Sequence, residues 1–253
     1  MNGDNGALEK RRSLTLDRFL LTSTDKVLRA LENMFEFDIE QSESLLEIAA
    51  VRQSDALRSV GDGQLYTVAS ELRGDLCGNA HILIRASDID HLAEMLKPVM
   101  GLMFLSRPGA DLLGLERNCP GWLRNPQHSP IEDPEFRAQL LDALVEMGNV
   151  LFGVYSRGMY DISARRTTHT LPQVTCDIDR QAVYLALEEI GTAQQHRLVI
   201  DNAFRIGGRL VRLWFVICLR PDCFRTLMRG IDAAAVPQSA IQVSQPCLRA
   251  AGA

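Results

Sequence analysis

Residues 196–231, HRLVIDNAFRIGGRLVRLWFVICLRPDCFRTLMRGI, decide the architecture. His196 to Arg205 and Arg209 to Leu219 are rich in strand-forming residues and meet at Gly207-Gly208. Two glycines in a row take the positive backbone angles that a tight hairpin turn demands. Pro221 cannot donate to a ladder but is preorganised for the first turn of a helix. Asp222 to Gly230 therefore reads as a short helix, with Gly230 as its C-cap. The same order occurs earlier in the chain. Leu65 to Arg73 and Asn79 to Arg85 read as strands around a turn at Asp75 to Gly78, and Ser87 and Asp88 open a short helix ending near Lys97, before Pro98.

Each hairpin is preceded by a helix and a strand. In the first half, Asp25 to Phe37 places Leu28, Leu31 and Phe35 on one helical face, with Ser23 or Thr24 as cap, and Leu45 to Val51 reads as a buried strand. In the second half a long helix runs from Glu135 to Tyr160. Thr168 to Cys176 reads as a strand broken by Pro172, and Asp179 to Ile190 reads as a helix, although Ala182 to Ala186 would also pass for a strand. The repeated order predicts an internal duplication of α/β (α+β) class: one six-stranded sheet, two long pseudo-symmetric helices, and short helices packed on the sheet. The expected organisation is a flexible tail over 1–16, one domain over 17–232 and a loose tail over 233–253. The domain holds two pseudo-repeats (about 20–97 and 135–232) joined by an insertion over 98–134 that is rich in Pro and Gly, with a helical turn near Leu112 to Leu115.

Composition narrows the function classes. The chain has 253 residues, is 46% apolar and carries a net charge of -5, which gives no basic face for a nucleic-acid backbone. Its six cysteines (Cys77, Cys119, Cys176, Cys218, Cys223 and Cys247) contain no Cys-x-x-Cys pair, and the five histidines do not cluster with them, so no metal site is expected. The first ten residues lack the apolar segment of a secretory signal. The apolar stretch Leu198 to Leu219 is interrupted by Asp201, Asn202, Arg205, Arg209 and Arg212, so no membrane insertion is expected. The reading is of a reduced, cytoplasmic protein.

The chemistry concentrates on the second long helix. At about 100° per residue, Phe136, Leu140, Leu144, Met147, Leu151 and Tyr155 share one face. Asp142, Glu146 and Asn149, at i, i+4 and i+7, occupy a stripe roughly 60° wide on the opposite face, and Gly153 continues it by one turn. The stripe thus offers a carboxylate and a carboxamide beside a position with no side chain. A polar stripe belongs to every amphipathic helix, so spacing alone does not make a site. Elsewhere there is no phosphate-binding loop, Ser156 lacks a nucleophile elbow, and His81 and His169 are isolated on strand-like segments.

Asp142-Ala-Leu-Val-Glu146-Met-Gly-Asn149, followed after 22 residues by Pro172, resembles the signature of the CheC, CheX and FliY phosphatase family. That signature is Asp or Ser, three residues, Glu, two residues, Asn, 22 residues, Pro, and its four defined positions match here. The resemblance covers roughly residues 20 to 232 when the duplicated layout is included. It implies a CheC-like fold and hydrolysis of the phospho-aspartate of a CheY-like response-regulator receiver, as in chemotaxis and other two-component signalling. It implies that Asn149 orients the attacking water and Glu146 holds the receiver's lysine. Asp142 and Gly153 would contact the partner, and Pro172 would be structural. No cofactor of its own is implied, the Mg²⁺ being the receiver's. Some family members carry a second site in the first half. Here the signature falls on Asp25, Arg29, Glu32 and Asp55, with Arg29 where Glu should stand, and the adjacent Glu32-Asn33 pair lacks the spacing to share a face. The first half therefore reads as catalytically degenerate. The alternative is a non-catalytic interaction module, FliM-like or binding the deamidase CheD.

Overall fold

The computed structural model describes residues 3–35, 38–105, 130–189 and 196–234. The elements are α1 (Gly3–Phe35), β1 (Ile39–Ala50), α2 (Asp55–Arg58), β2 (Gln64–Gly74), β3 (Gly78–Arg85), α3 (Ala86–Leu105), α4 (Pro134–Ser163), β4 (Thr167–His169), β5 (Gln173–Asp179), α5 (Arg180–Glu189), β6 (His196–Ile206), β7 (Arg209–Leu219) and α6 (Pro221–Ala234). Among the described residues, seven strands join one antiparallel sheet in the order β1-β6-β7-β3-β2-β4, with β5 also on β2.

The expected six strands become seven because of Pro172. β4 pairs with Leu72 to Gly74 and β5 with Gln64 to Ala69, so the two short strands share one edge position. Between them lies Pro172, which cannot donate to β2 and breaks the ladder. The sheet thus has six positions. They are related by a pseudo-two-fold axis between β3 and β7: β3 corresponds to β7, β2 to β6, and β1 to the β4–β5 edge. Each half gives its leading strand to the other half's hairpin, since β1 pairs with β6 and β5 pairs with β2. Neither half completes its sheet alone.

Residues along β6 and β7 are buried almost continuously because both faces of the sheet are covered. Over one face lie α1, α3, α4 and α6, with Phe136, Leu140, Leu144, Met147, Leu151 and Tyr155 all in that core. The other face is covered by α2 and α5, which close a smaller core of Trp214, Val199, Val216, Leu57 and Leu187. Each such side chain contributes about 1.5–3 kcal/mol by leaving water. At the polar edges of the small core, Trp214 Nε1 donates to Ser59 Oγ at 3.2 Å, and buried Arg197 donates through one guanidinium N–H to the Leu187 carbonyl at 2.8 Å.

Several boundaries differ from those expected. Residues 3–16 are the first turns of α1, where Arg12 makes a two-point bridge to Asp232 of α6 at 2.8 Å and Phe19 is buried one turn beyond. The chain is helical to Ala234 because Leu227 and Ile231 still face the core. α3 passes through Pro98, which removes a single helix hydrogen bond, and reaches Leu105. β1 begins at Ile39 and leaves Leu45 about half exposed, so the strand is longer than its apolar run. Gly230 is interior to α6; a Cβ there would stand 2.7 Å from Ser163 Cα, so its role is close helix packing. The expected turn at Leu112 to Leu115, residues 106–129 and the tail from 235 lie outside the described residues. No described helix is long and apolar enough to cross a membrane.

Candidate functional site

Local chemistry sets both ends of α4. The Asp133 carboxylate accepts from the backbone N–H groups of Glu135 and Phe136 at 3.0 and 3.1 Å, and Pro134 opens the first turn. Ala164 ends the helix in the left-handed conformation, its N–H bonded to the Tyr160 carbonyl. Near the start, Arg137 is tied to Asp177 of β5 at 2.8 Å. The carboxylate raises the guanidinium pKa further, chiefly through that hydrogen bond.

Two close approaches fix the middle of the helix. At Gly148 a Cβ would stand 2.5 Å from Val68 Cγ1 and 3.3 Å from Pro172 Cβ, so only glycine lets α4 lie this near β2 and the buried proline. At Gly158 a Cβ would stand 2.6 Å from Ser23 Oγ and 2.7 Å from the Phe19 ring, which is where α1 packs on α4. A buried polar network joins the same helices. The Asn202 side-chain N–H donates to the Tyr155 hydroxyl at 2.9 Å, and Asn202 Oδ1 accepts from Ser44 at 2.9 Å and from Thr24 at 3.3 Å. Tyr155 stacks on Phe215 with ring centroids 4.0 Å apart, and burial raises its phenol well above the ordinary range, so it stays neutral.

The outward stripe sits on this fixed helix. Asp142, Glu146 and Asn149 are all exposed, and none has a side-chain hydrogen bond or ion pair among the described residues. Glu146 and Asn149 thus project as a free acceptor and a free carboxamide, flanking the glycine that rests on Pro172. Gly153 is half-buried and opens toward His169, whose Nε2 lies 3.9 Å from where a Cβ would be. The His169 ring packs on Phe152 at 5.8 Å, and its Nδ1 lies 3.1 Å from the Thr170 carbonyl.

Beyond Gly153 the stripe runs into an open groove lined by Arg157, Tyr160, Arg166, Thr168 and His169. This groove is not legible in the sequence, because its two sides come from α4 and the β4 segment. Gly148 also went unremarked as a functional position, although an isolated glycine inside a helical pattern signals close packing. In the first half, Arg29 and Asp25 are exposed and bridged to each other at 3.1 Å. Glu32 is half-buried and Asn33 exposed, so the corresponding face of α1 offers no matching pair. Among the described residues, no three His, Cys, Asp or Glu side chains converge as a metal site.

No protein-family model matches the sequence, and no curated protein matches it. Solved structures do resemble it. FliY from Thermotoga maritima aligns over 84% of this chain and 91% of its own, with a TM-score of 0.54 and 12% identity. The FliM middle domain from Vibrio alginolyticus aligns over 87% and 99%, with a TM-score of 0.47 and 11% identity. CheX of the CheX–CheY–BeF3–Mg complex from Borrelia burgdorferi aligns over 79% and 96%, with a TM-score of 0.45 and 16% identity. At these identities the likeness is one of fold: the chain carries the fold of the CheC/CheX/FliY family.

Proposed function

We propose that this protein is a phosphatase for the phospho-aspartate of a CheY-like receiver domain, acting in the cytoplasm. The observation that carries the reading is the exposed Glu146–Asn149 pair on one stripe of α4, with Pro172 seated against the intervening Gly148. An acyl phosphate is already activated, and phosphoryl transfer depends mainly on positioning and charge. In this reading the receiver brings its own Mg²⁺ and lysine to neutralise the phosphoryl oxygens. What the chain adds is an aligned water.

Asn149 suits that task because its carboxamide oxygen accepts a hydrogen bond from water while the group stays neutral beside the phosphoryl oxygens. As the water oxygen bonds to phosphorus, the bond from phosphorus to the aspartyl oxygen breaks, which gives phosphate and a free carboxylate. Glu146 is acceptor-only when ionised, so it pairs with the receiver's lysine and sets the helix across the pocket. Asp142 contacts the rim, and Gly153 keeps the far end of the stripe low enough for the partner to lie flat.

The test is loss of phosphate from a purified phosphorylated receiver, measured with and without this protein. Catalytic acceleration at substoichiometric protein supports the reading. Binding without acceleration points instead to a FliM-like or CheD-binding interaction module.

A further inference from the structure

Two cysteines 146 positions apart in the chain are brought together where the β2–β3 turn meets the start of α6. Cys77 lies in the turn between β2 and β3, and Cys223 is in the first turn of α6. Their sulfurs are 3.1 Å apart. The two segments are locked in place by backbone. The Arg220 N–H donates to the Cys77 carbonyl at 2.9 Å, and Gly78 pairs with Leu219 across β3 and β7. A Cβ on Gly78 would collide with the Cys218 carbonyl, so glycine is what lets the turn come this close.

The pair is asymmetric. Cys77 is partly exposed, and the Arg220 guanidinium lies 2.5 Å from its sulfur. Hydrogen bonding from the Cys223 thiol and from Arg220 holds Cys77 below the ordinary thiol range. Cys223 is buried, and burial pushes its own thiol up, so it remains the protonated donor. In the other two described cysteines burial outweighs a neighbouring arginine: it raises Cys176 beside Arg137 and pushes Cys218 beside Arg197 up to about 11.

We propose that Cys77 and Cys223 form a reversible dithiol–disulfide centre that reacts with hydroperoxides, Cys77 as the attacking thiolate and Cys223 as the resolving thiol. The Cys77 thiolate attacks one oxygen of hydrogen peroxide. The O–O bond breaks, Cys77 becomes a sulfenic acid, and the departing hydroxide takes a solvent proton, replacing the one lost when Cys77 ionised. The Cys223 sulfur then bonds to the Cys77 sulfur as the S–O bond breaks, and its proton leaves with that hydroxide as a second water. Two thiols lose two electrons and two protons, and one peroxide becomes two waters. The sulfurs need to close from 3.1 Å to a bond length of about 2.05 Å, a movement that side-chain rotation at a helix's first turn supplies. The bridge ties the β2–β3 turn to α6.

The experiment treats the full chain with one equivalent of hydrogen peroxide and maps thiols by non-reducing peptide mass spectrometry. The expected result is a peptide joining Cys77 to Cys223, lighter by two hydrogens and restored by dithiothreitol. Cys223→Ser, checked for folding by circular dichroism, should instead trap a sulfenic acid on Cys77, detected as a dimedone adduct. Arg220→Gln should move the pH midpoint of Cys77 alkylation upward and slow its reaction with peroxide several-fold at neutral pH. A disulfide pairing either cysteine with Cys119 or Cys247, or free Cys77 and Cys223 after peroxide treatment, overturns the proposal. So does an unchanged alkylation profile in Arg220→Gln, because Arg220, beside the Cys223 thiol, is one of the two groups that hold Cys77 down.

Discussion

Pro172 lies directly beneath Gly148, so near that a Cβ on the glycine would stand 3.3 Å from the proline Cβ. Twenty-two residues separate Asn149 from Pro172 in sequence, yet the proline supports the turn of α4 from which Glu146 and Asn149 project. The proline also lies between β4 and β5, directly before β5, so one residue interrupts the edge of the sheet and seats the helix.

This contact makes two glycines of α4, buried Gly148 and Gly153 of the stripe, behave oppositely. Gly148→Ala gains helix propensity of about 1 kcal/mol but forces a methyl to within 2.5 Å of Val68. Overpacking of this kind costs about 1–3 kcal/mol, so the variant should be less stable by roughly 1 kcal/mol. Gly153→Ala meets only His169 Nε2 at 3.9 Å and should be more stable by about 0.5–1 kcal/mol. Urea unfolding of both variants checks the pair; equal effects would show that α4 does not rest on Val68 and Pro172.

A second prediction concerns the buried network beneath the helix. Asn202→Ala leaves Tyr155, Ser44 and Thr24 without their shared partner. Stranded buried polar groups cost about 1–3 kcal/mol, so the variant should lose about 2–3 kcal/mol. Tyr155→Phe removes one hydroxyl and should lose about 1 kcal/mol. Chemical denaturation midpoints at constant slope provide the measurement.

The core face of α4 was legible because six apolar residues from Phe136 to Tyr155 fall on one side, and Gly207-Gly208 marked the β6–β7 hairpin without ambiguity. The polar stripe was legible for the same reason, as the complement of that face. The exchange of β1 and the β4–β5 edge between halves was not, since pairing such as Leu46 with Ile200 depends on contacts far apart in sequence. The first turns of α1 read as a tail because their anchor, Arg12 to Asp232, spans 220 positions. The groove past Gly153 stayed hidden likewise, being shared between α4 and β4.

His81 supplies a pH signature. Its Nε2 is buried with no hydrogen-bond partner among the described residues, and burial pushes the ring's pKa down from 6.5 to about 4. The folded state thus disfavours the proton that the unfolded state accepts. Stability tied to this group is complete above pH 6.5 and is lost as pH falls toward 4. The loss is at most about 3 kcal/mol, and part of the ring is solvated, which reduces it. Asp88 and Asp201, whose carboxyls burial raises, act in the opposite sense as pH falls. The clean readout is therefore the stability difference between the parent and His81→Gln, which should narrow between pH 6.5 and 4.

The first half is expected to contribute no second active site. Arg29 is engaged by Asp25 on the surface of α1 and would repel a partner's lysine. Arg29→Ala combined with Glu32→Ala should leave receiver dephosphorylation within about twofold of the parent, and stability within about 0.5 kcal/mol. A large fall in turnover with folding intact would make α1 a docking or catalytic surface.

The central claim rests on Asn149, and its test is the dephosphorylation rate of a phosphorylated receiver as a function of receiver concentration for the parent, Asn149→Ala and Glu146→Lys. Alanine preserves the helix and leaves Glu146 to hold the partner, so Asn149→Ala should keep its half-saturation concentration while turnover falls on the order of a hundredfold. Glu146→Lys places like charge against the receiver's lysine and should weaken binding as well as turnover. If Asn149→Ala turns over as fast as the parent, no water is positioned by its carboxamide, and the stripe on α4 is a binding surface and not a phosphatase site.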